Sequence, residues 1–324
     1  MIRLARALGL SALLLAWVGI GVTEAQAAPI QREAFQSAQG EHKASEREVD
    51  VMEHLANSHV IEIPWFNDRY TLEIELPRIP PLHIGSVELD LSPTKHSVFV
   101  VLAALLVGIL FVTSARSISR AQREGHPPKG LAGALEATAL YLRQEYILPN
   151  VGHHGEGYAP YLLTVFFFIL ACNLLGLLPW GATATSNIAV TGGLALLAFV
   201  IIEVSGMRAL GWKGYLKTIF YLPPGLPTFM KPLMLVVMTP IEIISKLARP
   251  FALAVRLFAN MTAGHALVLA LIGLTFTFHS YAVGVGASAM ATAVMLLELF
   301  VAFLQAFVFM LLTAVFIGLM RAEH

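Results

Sequence analysis

Charged residues are scarce in this chain. Only 13% of its 324 residues are Asp, Glu, Lys or Arg, whereas 57% are apolar. A soluble domain carries about a quarter charged residues, so an ordinary soluble enzyme is excluded. The apolar content also excludes disorder over most of the length. The 21 basic and 21 acidic residues cancel, which leaves no overall positive field to hold nucleic acid.

Cysteine is almost absent as well. Cys172 is the only one, which excludes an internal disulfide and a cysteine-based zinc cluster. His153 and His154 are adjacent but lack a spaced third ligand, so an exposed loop is preferred to a metal site, and no cofactor is expected. The sequence also lacks the G-x-x-x-x-G-K-[ST] motif, so we do not expect the chain to bind ATP itself.

The first 95 residues differ in composition from the rest. Residues 1–27 have the pattern of a cleaved signal peptide, with Arg3 and Arg6 before an apolar segment and a small-x-small site at residues 25–27. An uncleaved first membrane helix is the alternative. Residues 28–95 hold 12 of the 21 acids and form a polar region that we expect outside the cytoplasm. Apolar and charged residues alternate within residues 58–91, which predicts a small β-meander.

Residues 96–324 contain five apolar segments long enough to cross a membrane. We predict the spans at residues 97–114, 161–178, 188–205, 232–278 and 287–320. Basic residues follow the first and third spans and mark the cytoplasmic side, so the N-terminus lies outside and the C-terminus inside. Helical periodicity over residues 131–146 predicts an amphipathic helix on the membrane surface. The predicted fold is an all-α integral membrane protein that ends in a long, tilted helical hairpin.

The last two spans contain polar residues in the part of a membrane where charge is most costly. Each ionisable group there costs at least about 2.5 kcal/mol on insertion scales, which favours a pore or proton relay over structural pairing. Lys246 and Arg249 are the weakest candidates, because long side chains near a helix end reach the interface. The full set is Glu242, Lys246, Arg249, Arg256, His265, Glu298 and Gln305.

Helical spacing sorts these residues by face. In an antiparallel hairpin, the pairs His265–Glu298 and Arg256–Gln305 fit one register to within half a helical turn. A His–Glu pair exchanges protons near neutral pH, whereas an arginine keeps its proton and acts as a fixed charge. One stripe of the first helix of the hairpin carries Glu242, Ser245, Arg249, Arg256 and Asn260.

Three segments resemble motifs of the a subunit of the F-type ATP synthase membrane sector. They are residues 249–265 (RPFALAVRLFANMTAGH), 304–309 (LQAFVF) and 172–179 (CNLLGLLP). The resemblance covers about residues 92–324 and implies a stator subunit with two offset proton half-channels that couples proton flow to rotation and ATP synthesis. It implies a bacterial inner membrane location, no catalysis by the chain alone, and a c-subunit ring, a b-type peripheral stalk and the rest of the complex as partners.

The resemblance also implies roles for single residues. Arg256 matches the arginine that faces the c-ring, and Glu242 and Ser245 match positions near the cytoplasmic half-channel. The histidine and glutamate are exchanged relative to many bacterial members, as in mitochondrial members, which preserves the pair only if the two residues touch. Asn173 either lines the channel or bonds a neighbouring helix backbone. The polar lining toward the outer half-channel matches Asn260, His265, Glu298 and Gln305.

Two other classes of protein fit the sequence less well. A secondary transporter or ion channel could use the same Arg/His/Glu cluster, but a transporter usually shows paired halves, and no repeat is visible. An intramembrane hydrolase would need a nucleophile or an H-E-x-x-H motif. We further expect residues 166–168 (FFF) to face lipid, Glu203 to be a solvated anchor, and His96 to lie at the surface.

Overall fold

The computed structural model describes most of the chain from residue 60 onward. The described residues are 60–64, 71–77, 82–84, 87–89, 92–152, 155–178, 183–220, 227, 230–278 and 280–322. The predicted signal peptide, residues 1–27, lies outside them, as do His153 and His154.

Four short strands lie among the described residues before residue 95. β1 (Val60–Pro64) pairs antiparallel with β2 (Thr71–Glu75), and β3 (Leu82–Ile84) pairs antiparallel with β4 (Val87–Leu89). The β1–β2 register pairs Ile61 with Ile74 and Ile63 with Leu72. The described strands therefore form two separate hairpins instead of one meander.

The described residues include seven α-helices. The helices are α1 (Lys95–Arg123), α2 (Gly130–Tyr141), α3 (Leu148–Val151), α4 (Ala159–Gly176), α5 (Ile188–Ile219), α6 (Lys231–Phe278) and α7 (Tyr281–Ala322). A π-helical segment, Leu142–Ile147, joins α2 to α3, and short 3₁₀ turns precede α4 (Glu156–Tyr158) and α5 (Ala184–Ser186). Five helices, α1 and α4 to α7, are long and apolar enough to cross a membrane, which confirms the five predicted spans.

The predicted boundaries differ most in the hairpin of α6 and α7. The helix α7 begins at Tyr281 rather than at residue 287, and Gly284 and Gly286 lie inside it. In lipid, an unbonded backbone group costs several kcal/mol, so a helix continues through glycines that would end it in water. The helix α6 has 48 residues and continues through Pro240 and Pro250. Its length of about 72 Å exceeds the roughly 30 Å hydrocarbon core, so an upright crossing would leave part of the helix outside the core.

Helix ends follow local capping signals. The Thr94 side chain accepts a hydrogen bond from the Ser97 backbone N–H and so caps α1, whose last turn carries Arg120 and Arg123. The Asn187 carboxamide oxygen accepts from the Ala189 N–H at 2.9 Å and caps α5. These bonds satisfy backbone donors that have no partner within the helix, and cations at a C-terminus complement the helix dipole.

The core of the bundle surrounds α4. Phe166 and Phe168 are almost fully buried, and Phe167 is 7% exposed. The Phe166 ring packs edge-on against Phe303 of α7, and the Phe167 ring packs edge-on against Phe111 of α1. The prediction that residues 166–168 face lipid is wrong, because α4 is apolar all round and has helices on several sides.

A glycine allows α5 to bend. Gly211 has φ 69° and ψ 168° inside this helix, a left-handed conformation that glycine adopts without a Cβ penalty. The segment after the bend returns along the helix, which brings Tyr215 against Glu203. A helix without this bend would hold the two side chains about 18 Å apart along its axis.

A second glycine permits α7 to cross the short helix α3. A Cβ at Gly318 would overlap the carbonyl oxygen of Asn150 and lie 3.0 Å from its carbonyl carbon. Because the opposing atoms are backbone, they cannot swing away as a side chain would. We therefore expect Gly318→Val to destabilise the subunit by about 1–3 kcal/mol through overpacking.

The measurement for this variant is the amount of subunit retained in membranes after graded heating. Gly108→Val is the matched control, because a Cβ at Gly108 meets nothing within 4 Å. Equal heat resistance of the two variants would contradict the close approach of α7 to α3.

Candidate functional site

Arg256 projects from the middle of α6 and is exposed. Within the described part of the chain it makes neither a hydrogen bond nor an ion pair. Three alanines on the same side, Ala252, Ala259 and Ala263, are also exposed, so another surface could approach the guanidinium closely. The buried face of α6 adjoins this stripe and consists of Lys246, Pro250, Leu253, Ala254, Leu257, Met261 and Val268.

Asn260 lies one turn beyond Arg256 and connects α6 to α7. Its Nδ2 donates a hydrogen bond to Gln305 Oε1 at 3.1 Å. Gln305 is 3% exposed, and its Nε2 is buried without a partner among the described residues. The sequence predicted Gln305 beside Arg256; the described bond comes instead from Asn260, one helical turn further along α6.

Glu298 of α7 lies against Gly264 of α6. The glutamate is 5% exposed, and a Cβ at Gly264 would overlap its Oε1 and lie 2.7 Å from its Cγ. Gly264 precedes His265, which is half-buried. The hairpin register therefore agrees with the predicted placement of Glu298 at the level of His265.

Asn173 joins three elements. Its Nδ2 donates to the carbonyl oxygen of Ala302 in α7 at 3.1 Å, and its Oδ1 accepts from the Thr185 hydroxyl at 2.7 Å. The side chain is fully buried. Of the two predicted alternatives, the structure shows the bond to a neighbouring helix backbone. Ala302 lies between Glu298 and Gln305 on α7, so Asn173 holds the part of α7 that carries them.

The N-terminal half of α6 carries the remaining predicted residues. Glu242 and Ser245 are half-buried. Arg249 is half-buried as well, and its guanidinium lies 5.3 Å from the ring centre of Phe316, a cation–π distance. These three residues lie on the side of Arg256 opposite to Asn260 and Glu298, so polar groups follow α6 in both directions from Arg256.

Lys246 and Glu203 contradict their predictions. Both are buried, at 7% and 8% exposure. Lys246 Nζ lies 3.9 Å from Glu203 Oε2 and donates to the Thr218 hydroxyl at 3.0 Å. The sequence suggested that both residues are solvated at the interface, but neither is. Helical periodicity did not show the bend at Gly211, which folds the end of α5 over both side chains.

His96 is also not the surface residue that the sequence predicted. It is 3% exposed, and its Nδ1 is buried without a partner among the described residues. The residue lies in the first turn of α1. The helix begins at Lys95, two residues before the predicted span, which carries His96 into the packed part of the chain.

These features define a class of protein: an integral membrane bundle that pairs an exposed intramembrane arginine with polar side chains buried along two long antiparallel helices. A family model described as ATP synthase A chain matches residues 97–318. The chain belongs to the ATP synthase subunit a family.

Curated relatives agree with the family model. The chain is 42% identical to "ATP synthase subunit a 2" of Chlorobaculum tepidum over 298 residues, which are 92% of this chain and 80% of the relative. It is 47% identical to "ATP synthase subunit a" of Myxococcus xanthus over 244 residues, which are 74% of this chain and 76% of the relative. The chain is thus a multi-pass bacterial membrane protein of the ATP synthase complex, with the stator and proton-channel role of that family, and the transporter alternative is not favoured.

Proposed function

We propose that α6 and α7 form two offset proton half-channels against a ring of c subunits, with Arg256 between them. The observation that carries the proposal is the exposed guanidinium of Arg256, which has no bonding partner in the described part of its own chain. An unpaired charge in a membrane is costly, and such residues face a partner or a water-filled cavity. A carboxylate on the rotating ring supplies the opposite charge.

The outer half-channel is proposed along Glu298, Gln305 and Asn260, with His265 beside it. The Asn260–Gln305 hydrogen bond and the seat of Glu298 on Gly264 support this line. An imidazole and a carboxylate at this level pass a proton between them near neutral pH. The proton then neutralises a carboxylate of the ring, which is free to rotate into lipid.

The inner half-channel is proposed along Glu242 and Ser245. After nearly a full turn, the ring carboxyl reaches this side, ionises and releases its proton toward the cytoplasm. Arg256 cannot give up its proton, so it favours the ionised carboxylate and blocks direct transfer between the half-channels. ATP hydrolysis in the partner subunits drives the same steps in reverse.

The membrane orientation is a further part of the proposal. We place the subunit in a bacterial inner membrane, and the predicted signal peptide puts residues 28–95 outside the cytoplasm. Arg120 and Arg123 end α1 on the cytoplasmic side. We place α2 along the cytoplasmic surface. Its apolar side chains Leu131 and Tyr141 are 65% and 56% exposed, which suits an interfacial helix. A b-type peripheral stalk is the partner that would hold this subunit against the turning ring.

A reciprocal exchange tests the outer half-channel. We expect His265→Glu and Glu298→His each to lower ATP-driven proton pumping by at least about tenfold, since a positioned acid–base group contributes on the order of 10²–10⁴ in rate. The double variant should recover more pumping than either single variant, because it restores one imidazole and one carboxylate at the same level. The measurement is dye quenching in inverted membrane vesicles, normalised to assembled complex.

The matched control for this exchange is Glu298→Gln in a His265→Glu background. It supplies one carboxylate but no imidazole, so no recovery is expected. A reciprocal double variant that pumps no better than its two parents would remove the His265–Glu298 pair from the proposal.

A further inference from the structure

Four polar side chains meet between α5 and the N-terminal half of α6, outside the proposed proton path. We call them the Lys246 cluster: Glu203, Tyr215, Thr218 and Lys246. Lys246 Nζ lies 3.9 Å from Glu203 Oε2, 3.0 Å from Thr218 Oγ1 and 4.8 Å from the ring centre of Tyr215. The Tyr215 hydroxyl donates to the same carboxylate oxygen of Glu203. An ammonium and a carboxylate thus compensate each other where both side chains are nearly inaccessible to solvent, at 7% and 11%.

The bend at Gly211 makes the cluster possible. Glu203 lies before the bend, whereas Tyr215 and Thr218 lie after it. Lys246 inserts from α6 between the two arms of α5, with the Glu203 carboxylate on one arm and the Thr218 hydroxyl on the other. The lysine therefore contacts both arms of α5, through an ion pair with Glu203 and a hydrogen bond to Thr218.

The other described residues of the buried face of α6 are apolar and make no side-chain hydrogen bonds or ion pairs. Leu253, Leu257 and Met261 are at most 1% exposed and follow Lys246 at helical spacing. In a membrane, lipid is as apolar as these side chains, so burial alone does not select one rotation of a helix over another. Selection of a register is the best-attested use of a buried polar or ionic group.

We propose that the Lys246–Glu203 pair sets the rotation and axial register of α6, so that Arg256 projects from the exposed stripe. Arg256 follows Lys246 on the same helix, about 15 Å further along and about 80° around its axis. A rotation that is fixed at Lys246 is therefore fixed at Arg256. Lys246 is a positioning residue in this account, and only its effect on pumping rests on the proposed role of Arg256.

If the pair contributed to stability alone, removal of both charges together should leave the arrangement of α5 and α6 unchanged. Removal of one partner of a buried ion pair leaves an uncompensated charge and is strongly destabilising, whereas apolar or neutral replacement of both partners is often neutral or stabilising. The double variant Glu203→Gln/Lys246→Met therefore separates the two roles. Glutamine still accepts the Tyr215 hydroxyl, so that hydrogen bond is retained.

The experiment uses the intact ATP synthase complex with Cys172 replaced by serine. Spin labels at Val200 of α5 and Phe251 of α6, which are 48% and 68% exposed, report the relation of the two helices by pulsed electron paramagnetic resonance. ATP-driven pumping per assembled complex is measured in parallel. The matched control is Lys213→Met, which removes an exposed lysine from the same arm of α5 without a change in the cluster.

We expect the neutral double variant to assemble to within about twofold of the wild type, since both charges are removed together. Its label distance should shift or broaden. Pumping should fall by at least about tenfold, because a misplacement of 1 Å can cost on the order of 10²-fold in rate. The charge-swapped variant Glu203→Lys/Lys246→Glu should restore both readouts, and Lys213→Met should change neither.

Three results would overturn the inference: an unchanged label distance in the neutral double variant, loss of its assembly, or a changed distance with wild-type pumping. The first two reject control of register by the pair, and the third rejects the link to Arg256. The label distance does not depend on what Arg256 does. Pumping by Arg256→Ala would instead reject the proposed function, whatever the distance shows.

Discussion

Replacement of Arg256 by alanine is expected to abolish ATP-driven proton pumping while the complex still assembles. The guanidinium is exposed and bonds no described residue of its own chain, so alanine removes no contact that holds the bundle together. A fixed charge that stabilises charge in a reacting group is worth on the order of 10²–10³ in rate. We expect at least a 100-fold loss of pumping, by the same principle, and complex levels within about twofold.

Dye quenching in inverted vesicles measures the loss, with the amount of complex determined by immunoblot. The matched control is Arg208→Ala, which removes an exposed arginine from α5 away from the proposed path and should leave pumping intact. Arg256→Lys is informative too, because a lysine keeps the charge but not the planar, delocalised guanidinium. Coupled pumping by Arg256→Ala at the wild-type rate would contradict the separation of the half-channels by this residue.

A second expectation concerns leakage. In membranes stripped of the soluble ATPase subunits, the fixed charge of Arg256 should oppose direct passage of protons between the half-channels. Arg256→Ala should therefore show a higher passive proton permeability than Arg208→Ala under the same potential. A lower permeability would indicate that Arg256 lines the path and does not block it.

The fold was largely predictable from the sequence because its main signals are local. Apolar runs of sufficient length predicted the five spans that the structure describes. Capping residues such as Asn187 sit where the helices begin. The register of the hairpin was also predictable to about one turn, because a single register fits both of the pairs His265–Glu298 and Arg256–Gln305.

The rest was not predictable because it depends on contacts between distant parts of the chain. The burial of Lys246 and Glu203 requires the bend at Gly211, and a glycine in a helical pattern does not by itself indicate a bend. Phe166 is buried because α4 has neighbours on several sides, whereas an apolar run has the same pattern in lipid and in a core. The bond from Asn260 to Gln305 depends on side-chain reach, which the helical register alone does not specify.

Gly264 explains how a carboxylate fits between α6 and α7 at the level of His265. The two helices pack closely there, and the side chain of Glu298 occupies the space that a Cβ would need. A Cβ would overlap Oε1 and lie 2.7 Å from Cγ and 2.8 Å from Cδ. Small residues at such interfaces let helices approach closely in membranes. The sequence showed Gly264 only as part of a motif, and the structure gives it a physical role.

Gly264→Ala is therefore expected to lower ATP-driven pumping by at least about tenfold, because the added methyl group displaces Glu298, and a misplacement of 1 Å can cost on the order of 10²-fold. The measurement is pumping per assembled complex. Gly273→Ala is the matched control: it lies on the same helix, and a Cβ there meets nothing within 4 Å.

A compensating change makes this prediction specific. Glu298→Asp shortens the side chain by one methylene and frees the space that the new methyl group takes. The double variant Gly264→Ala/Glu298→Asp should therefore pump faster than Gly264→Ala, although a shorter acid alone should pump more slowly than the wild type. If Gly264→Ala pumps like Gly273→Ala, or if the aspartate gives no recovery, Gly264 does not position the glutamate of the proposed outer half-channel.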